Sequence, residues 1–321
     1  MKIKLFTHTD LDGLGCAIIG QLVFRKNNID ITYCNYNDVN EKVEDFFFSE
    51  NNYSKYDKVF ITDISINDDL ADRINKSLYT EPVQLLDHHP TALELNKYDW
   101  CTVQIEDDIE KVSGTSLFYK YLIDNSYIDE DEDIFQFVEK VKRYDTWLWT
   151  TKYNDAEAKQ LNDLLYIYGR DRFISKFVSK LYDYLDCCMW SDDESLFNDT
   201  DNLLLELEQN KIDNYIESKS KEMMQSVLNV HHKFYKVGIV FAEQYISQLG
   251  NELAKNNTNL DFIVIITNLK TISYRGIKDN IDLGKDIASI YGGGGHSQSA
   301  GSPINDEVKD KILSLIFGIE E

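Results

Sequence analysis

Two kinds of apolar pattern alternate along the first hundred residues. Short aliphatic runs, "IKLF", "IDITYC", "KVFITDIS" and "VQLLDHH", are separated by stretches whose apolar residues recur at helical spacing, "GLGCAIIGQLVFRKN", "VNEKVEDFFF" and "INDDLADRINKSL". The first kind fits four buried strands and the second the helices between them, and that alternation builds a parallel sheet with helices on its faces. From about Ser113 the pattern turns helical: "SGTSLFYKYLI" with a Ser or Thr start, then "DIFQFVEKVKRYDTWLW", then helical spacing from about Asp155 to Asn229. Within that stretch "TDNLLLELEQNKIDNYIESKSKEMMQSVL" predicts one long connecting helix. Beyond it "FYKVGIVFA", "DFIVIIT" and "TISYRGI" are strand-like, with helices at "YISQLGNELAKN" and "LGKDIASIY". The whole predicts an α/β protein: a parallel-sheet, Rossmann-like domain with a helical second half over residues 1–200, a linker helix over 201–230, and a smaller α/β domain with a mixed sheet over 231–321.

Composition sharpens this picture. A chain of 321 residues is long enough for two cores, and 43% hydrophobic with 12% aromatic residues argues for a folded protein. With 33 basic against 56 acidic residues the net charge is −23, which excludes a protein that grips duplex backbone and leaves a small anion held by local cations or metals. From His231 onward 9 Lys and Arg nearly balance 11 Asp and Glu, so the C-terminal part is expected to receive that anion. Five cysteines form no pairable framework, and no apolar run reaches secretory or membrane-spanning length. A cytoplasmic protein with no membrane partner is the expectation, with Cys187 and Cys188 as packing residues.

Three of the four proposed strands end in metal-ligand chemistry. "HTDLDG" places His8, Asp10 and Asp12 at alternating positions, which in extended geometry share one side; "FITDIS" ends in Asp63; "VQLLDHHP" ends in Asp87, His88 and His89, with Pro90 keeping His89 extended. Each acid alone reads as a turn or helix cap, but open α/β sheets bind ligands beyond the carboxyl ends of their strands, so a shared metal centre is the economical account. Carboxylates and imidazoles without thiolates suit Mn²⁺, with Mg²⁺ or Fe²⁺ behind it, and argue against structural zinc. Two such ions about 3.5–4 Å apart would need a bridging carboxylate and would clamp an attacking hydroxide and a phosphoryl oxygen. Asp145 in "RYDTW" either joins this set or ends a helix, and Trp147 and Trp149 beside it read as core rather than nucleobase platforms. Near the C-terminus "YGGGGHSQSAG" offers Gly293, Gly294 and Gly295, whose backbone N–H groups can approach a phosphate, followed by His296; Arg275 in "SYRG" can grip the same anion. His231 and His232 lack carboxylate company and are assigned to packing or surface.

Taken together, "HTDLDGLGC", Asp63, "DHHP", "YDTW", "YISQLGNELA", "SYRG" and the glycine run before His296 resemble the DHH phosphoesterase superfamily, most of all its nanoRNase branch of NrnB-like oligoribonucleases, over most of the chain. The resemblance implies one metal held by His8, Asp10 and Asp63 and a second by Asp12, Asp63, His88 and Asp145, with Asp63 bridging and Asp87 orienting an imidazole. It also implies that His89 faces the scissile phosphate, and that Arg275, His296 and the glycine backbone hold substrate from a DHH-associated C-terminal domain. The implied activity is Mn²⁺-dependent removal of mononucleotides from a short single-stranded oligonucleotide, with His88, His89, Asp63 and Asp87 as the catalytic group. Cyclic mono- or dinucleotides and 3′-phosphoadenosine 5′-phosphate are alternative substrates, and a non-catalytic nucleotide-binding protein is the alternative of another class. Oligomeric state stays open, a homodimer included.

Overall fold

The central strands of the first half are buried on both faces because helices pack against each side of the sheet they form. The computed structural model describes residues 1–49, 53–77, 82–186 and 196–318, and the chain divides into two units, residues 1–205 and 206–321. In the first, β1 (Ile3–Thr7), α1 (Leu11–Phe24), β2 (Ile29–Tyr33), α2 (Val39–Glu44), β3 (Lys58–Thr62), α3 (Asp68–Lys76), β4 (Val83–Asp87) and β5 (Cys101–Val103) follow one another. The strands pair entirely in parallel in the order β2-β1-β3-β4-β5. Their side chains divide by the two-residue period: Ile3, Leu5, Phe60 and Leu86 enter one core, while Phe6, Val59, Ile61, Val83 and Leu85 enter the other. The expected four strands are therefore five; β5 is too short to stand out as a run.

The first core is closed by α1 and by a helical layer of α4 (Gly114–Asp124), α5 (Glu132–Asp145), the single turn α6 (Leu148–Thr151), α7 (Ala156–Tyr168) and α8 (Arg170–Asp186). Ser113 caps α4 through a capping box with Ser116, the start that the sequence signals. "DIFQFVEKVKRYDTWLW" is not one helix. It breaks after Asp145, where Trp147 takes a left-handed backbone conformation with φ 62°. Asp155 fixes the end of α5 by accepting hydrogen bonds from Lys140 and Arg143, both at 2.9 Å, while capping α7. Cys16, Cys34 and Cys101 are buried free thiols; Cys187 and Cys188 lie outside the described residues.

The second unit begins within α9 (Asp199–Glu222) and continues through β6 (Met224–Val230), β7 (Lys233–Phe241), α10 (Ile246–Asn256), β8 (Phe262–Thr267), β9 (Thr271–Gly276), β10 (Gly294–Gly295), β11 (Ser299–Pro303) and α11 (Asp306–Phe317). Its mixed sheet has the order β10-β11-β9-β8-β7-β6, with only β7 and β8 parallel. The long helix expected to run to residue 228 ends at Glu222, and the next residues form β6. The reason is the two-residue turn that follows: Val230 pairs with Lys233, and His231 and His232 both have positive φ, 47° and 65°. Such a turn matches the twist of a tight hairpin and commits the residues before it to a strand. The two histidines are exposed in that turn. "LGKDIASIY" forms a π turn and a 3₁₀ turn rather than a regular helix. Among the described residues no helix is long and apolar enough to cross a membrane.

Candidate active site

The carboxyl ends of β1, β3 and β4 lie side by side because the three strands are neighbours in the sheet, and each delivers its polar residues to the same edge. Thr62 closes the sheet beneath them, donating a hydrogen bond to Thr7 at 3.0 Å, and Thr7 donates to the Gly13 carbonyl at 3.0 Å. His8, Asp10 and Asp12 do not share one extended face. Asp10 caps α1 by accepting from the Gly13 N–H at 3.1 Å, so the helix has already begun at Asp12 and turns its buried carboxylate inward. Asp12 accepts from the Gly114 and Thr115 N–H groups at 2.6 and 2.9 Å, which ties the N-terminus of α4 to the site. Asp63 stands just beyond β3 with φ 57°, a left-handed conformation that aims its carboxylate across the strand ends.

Asp63 faces two groups of ligands at once. Its Oδ2 is 3.8 Å from His8 Nδ1, which is itself 2.8 Å from Asp10 Oδ2; its Oδ1 is 3.3 Å from His88 Nε2. The same His88 nitrogen lies 3.6 Å from Asp12 Oδ2 and 3.5 Å from Asp145 Oδ2 at the end of α5. The ligand atoms of His8, Asp10 and Asp63 fall within 4.8 Å of one another, as do those of Asp12, His88 and Asp145. Asp63 Oδ2 and His88 Nε2 are buried and make no hydrogen bond, and His8 Nδ1, also buried, has only the Asp10 carboxylate at 2.8 Å beside it. Buried polar atoms are nearly always satisfied, so orphaned atoms from two neighbouring strand ends beside a buried imidazole–carboxylate pair from a third mark a place prepared for a cation. The donor set, imidazole and carboxylate without thiolate, fits a divalent metal ion of the harder kind.

Electrostatics carry the same message. Burial, and then the charges of Asp12 and Asp10, push Asp63 well above the usual carboxylate range. Burial and the same two neighbours raise Asp145 to about 8. Burial also pushes Asp10 upward, but the His8 imidazole outweighs it and holds that carboxyl below its ordinary value.

Asp87, also within ligand distance of Asp63, His88 and His89, differs because its oxygens are already engaged. Oδ1 accepts from the His88 N–H at 2.8 Å and pairs with His89 Nδ1 at 2.7 Å, and Oδ2 accepts from Ser65 Oγ at 2.5 Å. The hydrogen bond that His89 donates to Asp87 raises the His89 pKa. The other His89 nitrogen, Nε2, is 3.0 Å from the Tyr36 hydroxyl. Burial, and then the charges of Asp63 and Asp10, lift that phenol to about 12, so it stays protonated and its oxygen can accept from a protonated Nε2. Tyr36 and Ser65 are not metal-ligand residue types, and no motif in the sequence marks them. The available signal was position, since Tyr36 follows the end of β2 and Ser65 the end of β3.

In the second unit Arg275 lies in β9 opposite Ser299 of β11, and its guanidinium donates to Ser247 Oγ and to the Tyr274 carbonyl, both at 3.0 Å. Among the described residues no carboxylate pairs with it. The glycine run is a hairpin: Gly294 and Gly295 pair with Gly301 and Ala300, and the His296 N–H donates to the Ser299 carbonyl at 2.8 Å. A Cβ on Gly293 would sit 2.0 Å from the Gly301 carbonyl oxygen, and Gly295 has φ 136°, so both are glycine for the fold. Around Gly294 the space is open, as it is around Gly292, and His296 is exposed in the same hairpin.

No protein-family model matches the chain. It is 40% identical over 319 residues to oligoribonuclease NrnB of Bacillus subtilis (strain 168), a match covering 98% of this chain and 76% of that protein. Among solved structures, the pGpG-specific phosphodiesterase PggH from Vibrio cholerae aligns over 98% of this chain and 97% of that one with a TM-score of 0.51 and 14% identity, a likeness of fold.

Proposed function

We propose, from the premise that the chain belongs to the NrnB oligoribonuclease family of DHH phosphoesterases and is a phosphodiesterase, that it removes mononucleotides from short single-stranded oligonucleotides with the help of two divalent metal ions, Mn²⁺ before Mg²⁺. The observation that carries this reading is the buried Asp63 carboxylate, one oxygen toward His8 and the other toward His88, with Asp63 Oδ2 and His88 Nε2 left without a hydrogen bond. His8, Asp10 and Asp63 would hold one ion, and Asp12, Asp63, His88 and Asp145 the other. When bound, such ions activate a water as nucleophile and neutralise charge developing on the phosphoryl oxygens.

The remaining chemistry belongs to the chain. Ser65 and two backbone N–H groups fix Asp87, Asp87 fixes the His89 ring through Nδ1, and Nε2 is left to offer a proton to a phosphate oxygen. Tyr36 holds that nitrogen in place until a substrate oxygen replaces its hydroxyl. Arg275, the backbone at Gly293, Gly294 and Gly295, and His296 are the proposed substrate-binding residues of the second unit; the lack of a carboxylate on Arg275 in a chain of net charge −23 supports an anionic ligand there. The deciding experiment incubates the purified chain with Mn²⁺ or Mg²⁺ and labelled di- to pentanucleotides, cyclic dinucleotides and 3′-phosphoadenosine 5′-phosphate. The reading expects Mn²⁺-dependent release of mononucleotides from the linear oligomers and none from Asp63→Ala. An inert wild type, or a preference for the cyclic or bisphosphate compounds, refutes it.

A further inference from the structure

The helix that carries Asp145 ends abruptly, and its ending is built from aromatic rings. The Thr146 N–H and hydroxyl both bond back to the Lys142 carbonyl, and the Trp147 N–H to that of Tyr144 at 3.2 Å. Trp147 then adopts φ 62° and ψ 10° before α6 starts. A bulky side chain in the left-handed region costs on the order of 1–2 kcal/mol, and such residues cluster at functional sites. Burial gives no return for that cost: Trp147 is 65% exposed. The expectation that this residue is core is thus corrected by the backbone, which turns the ring out of the helical layer.

The ring is exposed but supported. Its centroid lies 6.3 Å from that of Trp149 at 31° between planes, and Trp149 lies 6.4 Å from Tyr144 at 24°. Three rings in series rise from a half-buried end to an open one, and the open one is two residues from a carboxylate 3.5 Å from His88 Nε2. Two residues span at most about 7 Å, the scale of one nucleotide.

We infer that Trp147 is a stacking platform for a nucleobase of the substrate strand next to the reacting phosphate, with Trp149 and Tyr144 behind it; the inference rests on the oligonucleotide reading above. A base is the fitting occupant for a chain of net charge −23. Long-range attraction for a phosphate backbone is absent, whereas stacking is indifferent to charge and to base identity and is worth about 1–3 kcal/mol per base. Trp147 acts here as a binding residue and has no part in the chemical step.

The test measures binding rather than turnover. Full-length protein in Mn²⁺ is titrated with cleavage-resistant phosphorothioate pentanucleotides, one carrying all its bases and a set each abasic at one position. Wild type should favour the complete strand over at least one abasic strand. Trp147→Ala should erase that preference by weakening the complete strand roughly 5- to 100-fold while leaving that abasic strand unchanged, and Trp147→Phe should keep most of it. A Trp147→Ala protein that retains the wild-type preference, or that loses both probes equally, overturns the platform alone. Failure of wild type to bind any strand overturns it together with the oligonucleotide reading.

Discussion

Asp87 acts on this site through His89, whose Nδ1 it holds at 2.7 Å. It is fully buried, and burial alone would raise its pKa, but the hydrogen bonds from His89, Ser65 and the backbone overcome that and hold it ionised below the ordinary carboxylate range. The hydrogen bond that His89 makes to it, and then its charge, raise the His89 pKa against the opposing effect of burial. Asp87→Asn keeps the shape and removes the charge. His89 should then titrate at lower pH, measurable by NMR of its imidazole in metal-free protein, and turnover should fall about 10- to 100-fold, the usual cost of losing the group that orients an imidazole. The alkaline limb of the rate profile should move to lower pH with the histidine. Mn²⁺ stoichiometry should not change, because Asp87 has no free oxygen to give; loss of one ion on titration would instead make Asp87 a ligand.

At the scale of elements, the site depends on how closely α4 approaches the end of β3. Gly114 lets it. A Cβ there would lie 2.4 Å from the Asp63 Cβ and 2.8 Å from its Cα, and 3.1 Å from Asp12 Oδ2. Gly114→Ala must push either α4 or Asp63 aside, and Asp63 in its left-handed conformation is the less constrained of the two. The expected result is at least a tenfold loss of activity and weakened Mn²⁺ binding by isothermal titration, with a folded circular dichroism spectrum. The β6–β7 hairpin gives the opposite kind of prediction. His231 and His232 occupy positive-φ positions where Asn-Gly is preferred, so His231→Asn with His232→Gly should stabilise the protein by about 0.5–2 kcal/mol, read as a higher melting temperature with unchanged turnover. These two places also show what the sequence made legible. Strand ends carrying His8, Asp63 and Asp87–His89 were readable because aliphatic runs stop sharply at polar groups, and the shared edge follows from a parallel sheet. The closeness of Gly114 to Asp63 and the hairpin at His231 were not, since the first is a contact between residues 51 positions apart and the second uses residues that are uncommon in such turns.

Over the whole molecule, a net charge of −23 surrounds a site that gathers Asp10, Asp12, Asp63 and Asp145. Burial, and then the repulsion of these carboxylates for one another when no cation lies between them, puts Asp63 well above the ordinary range and raises Asp145 to about 8. A raised folded-state pKa on an acid means that the folded chain binds more protons than the unfolded one at every pH between the two values. Stability of the metal-free protein therefore falls as pH rises from about 4 toward 8, the reverse of the trend set by a salt-bridged carboxylate. Bound divalent ions compete with those protons, so they should bind more tightly at pH 8 than at pH 5 and release protons as they do. Thermal melts in EDTA should show a melting temperature that declines over this window, and excess Mn²⁺ should restore it most at the alkaline end, by about 2.7 kcal/mol at a hundredfold excess over the dissociation constant. Asp145→Asn removes one of the repelling charges and should flatten the metal-free decline. An EDTA profile that rises from pH 5 to 8, or an Asp145→Asn profile as steep as wild type, would show that this acidic cluster is not a preformed receptor for cations.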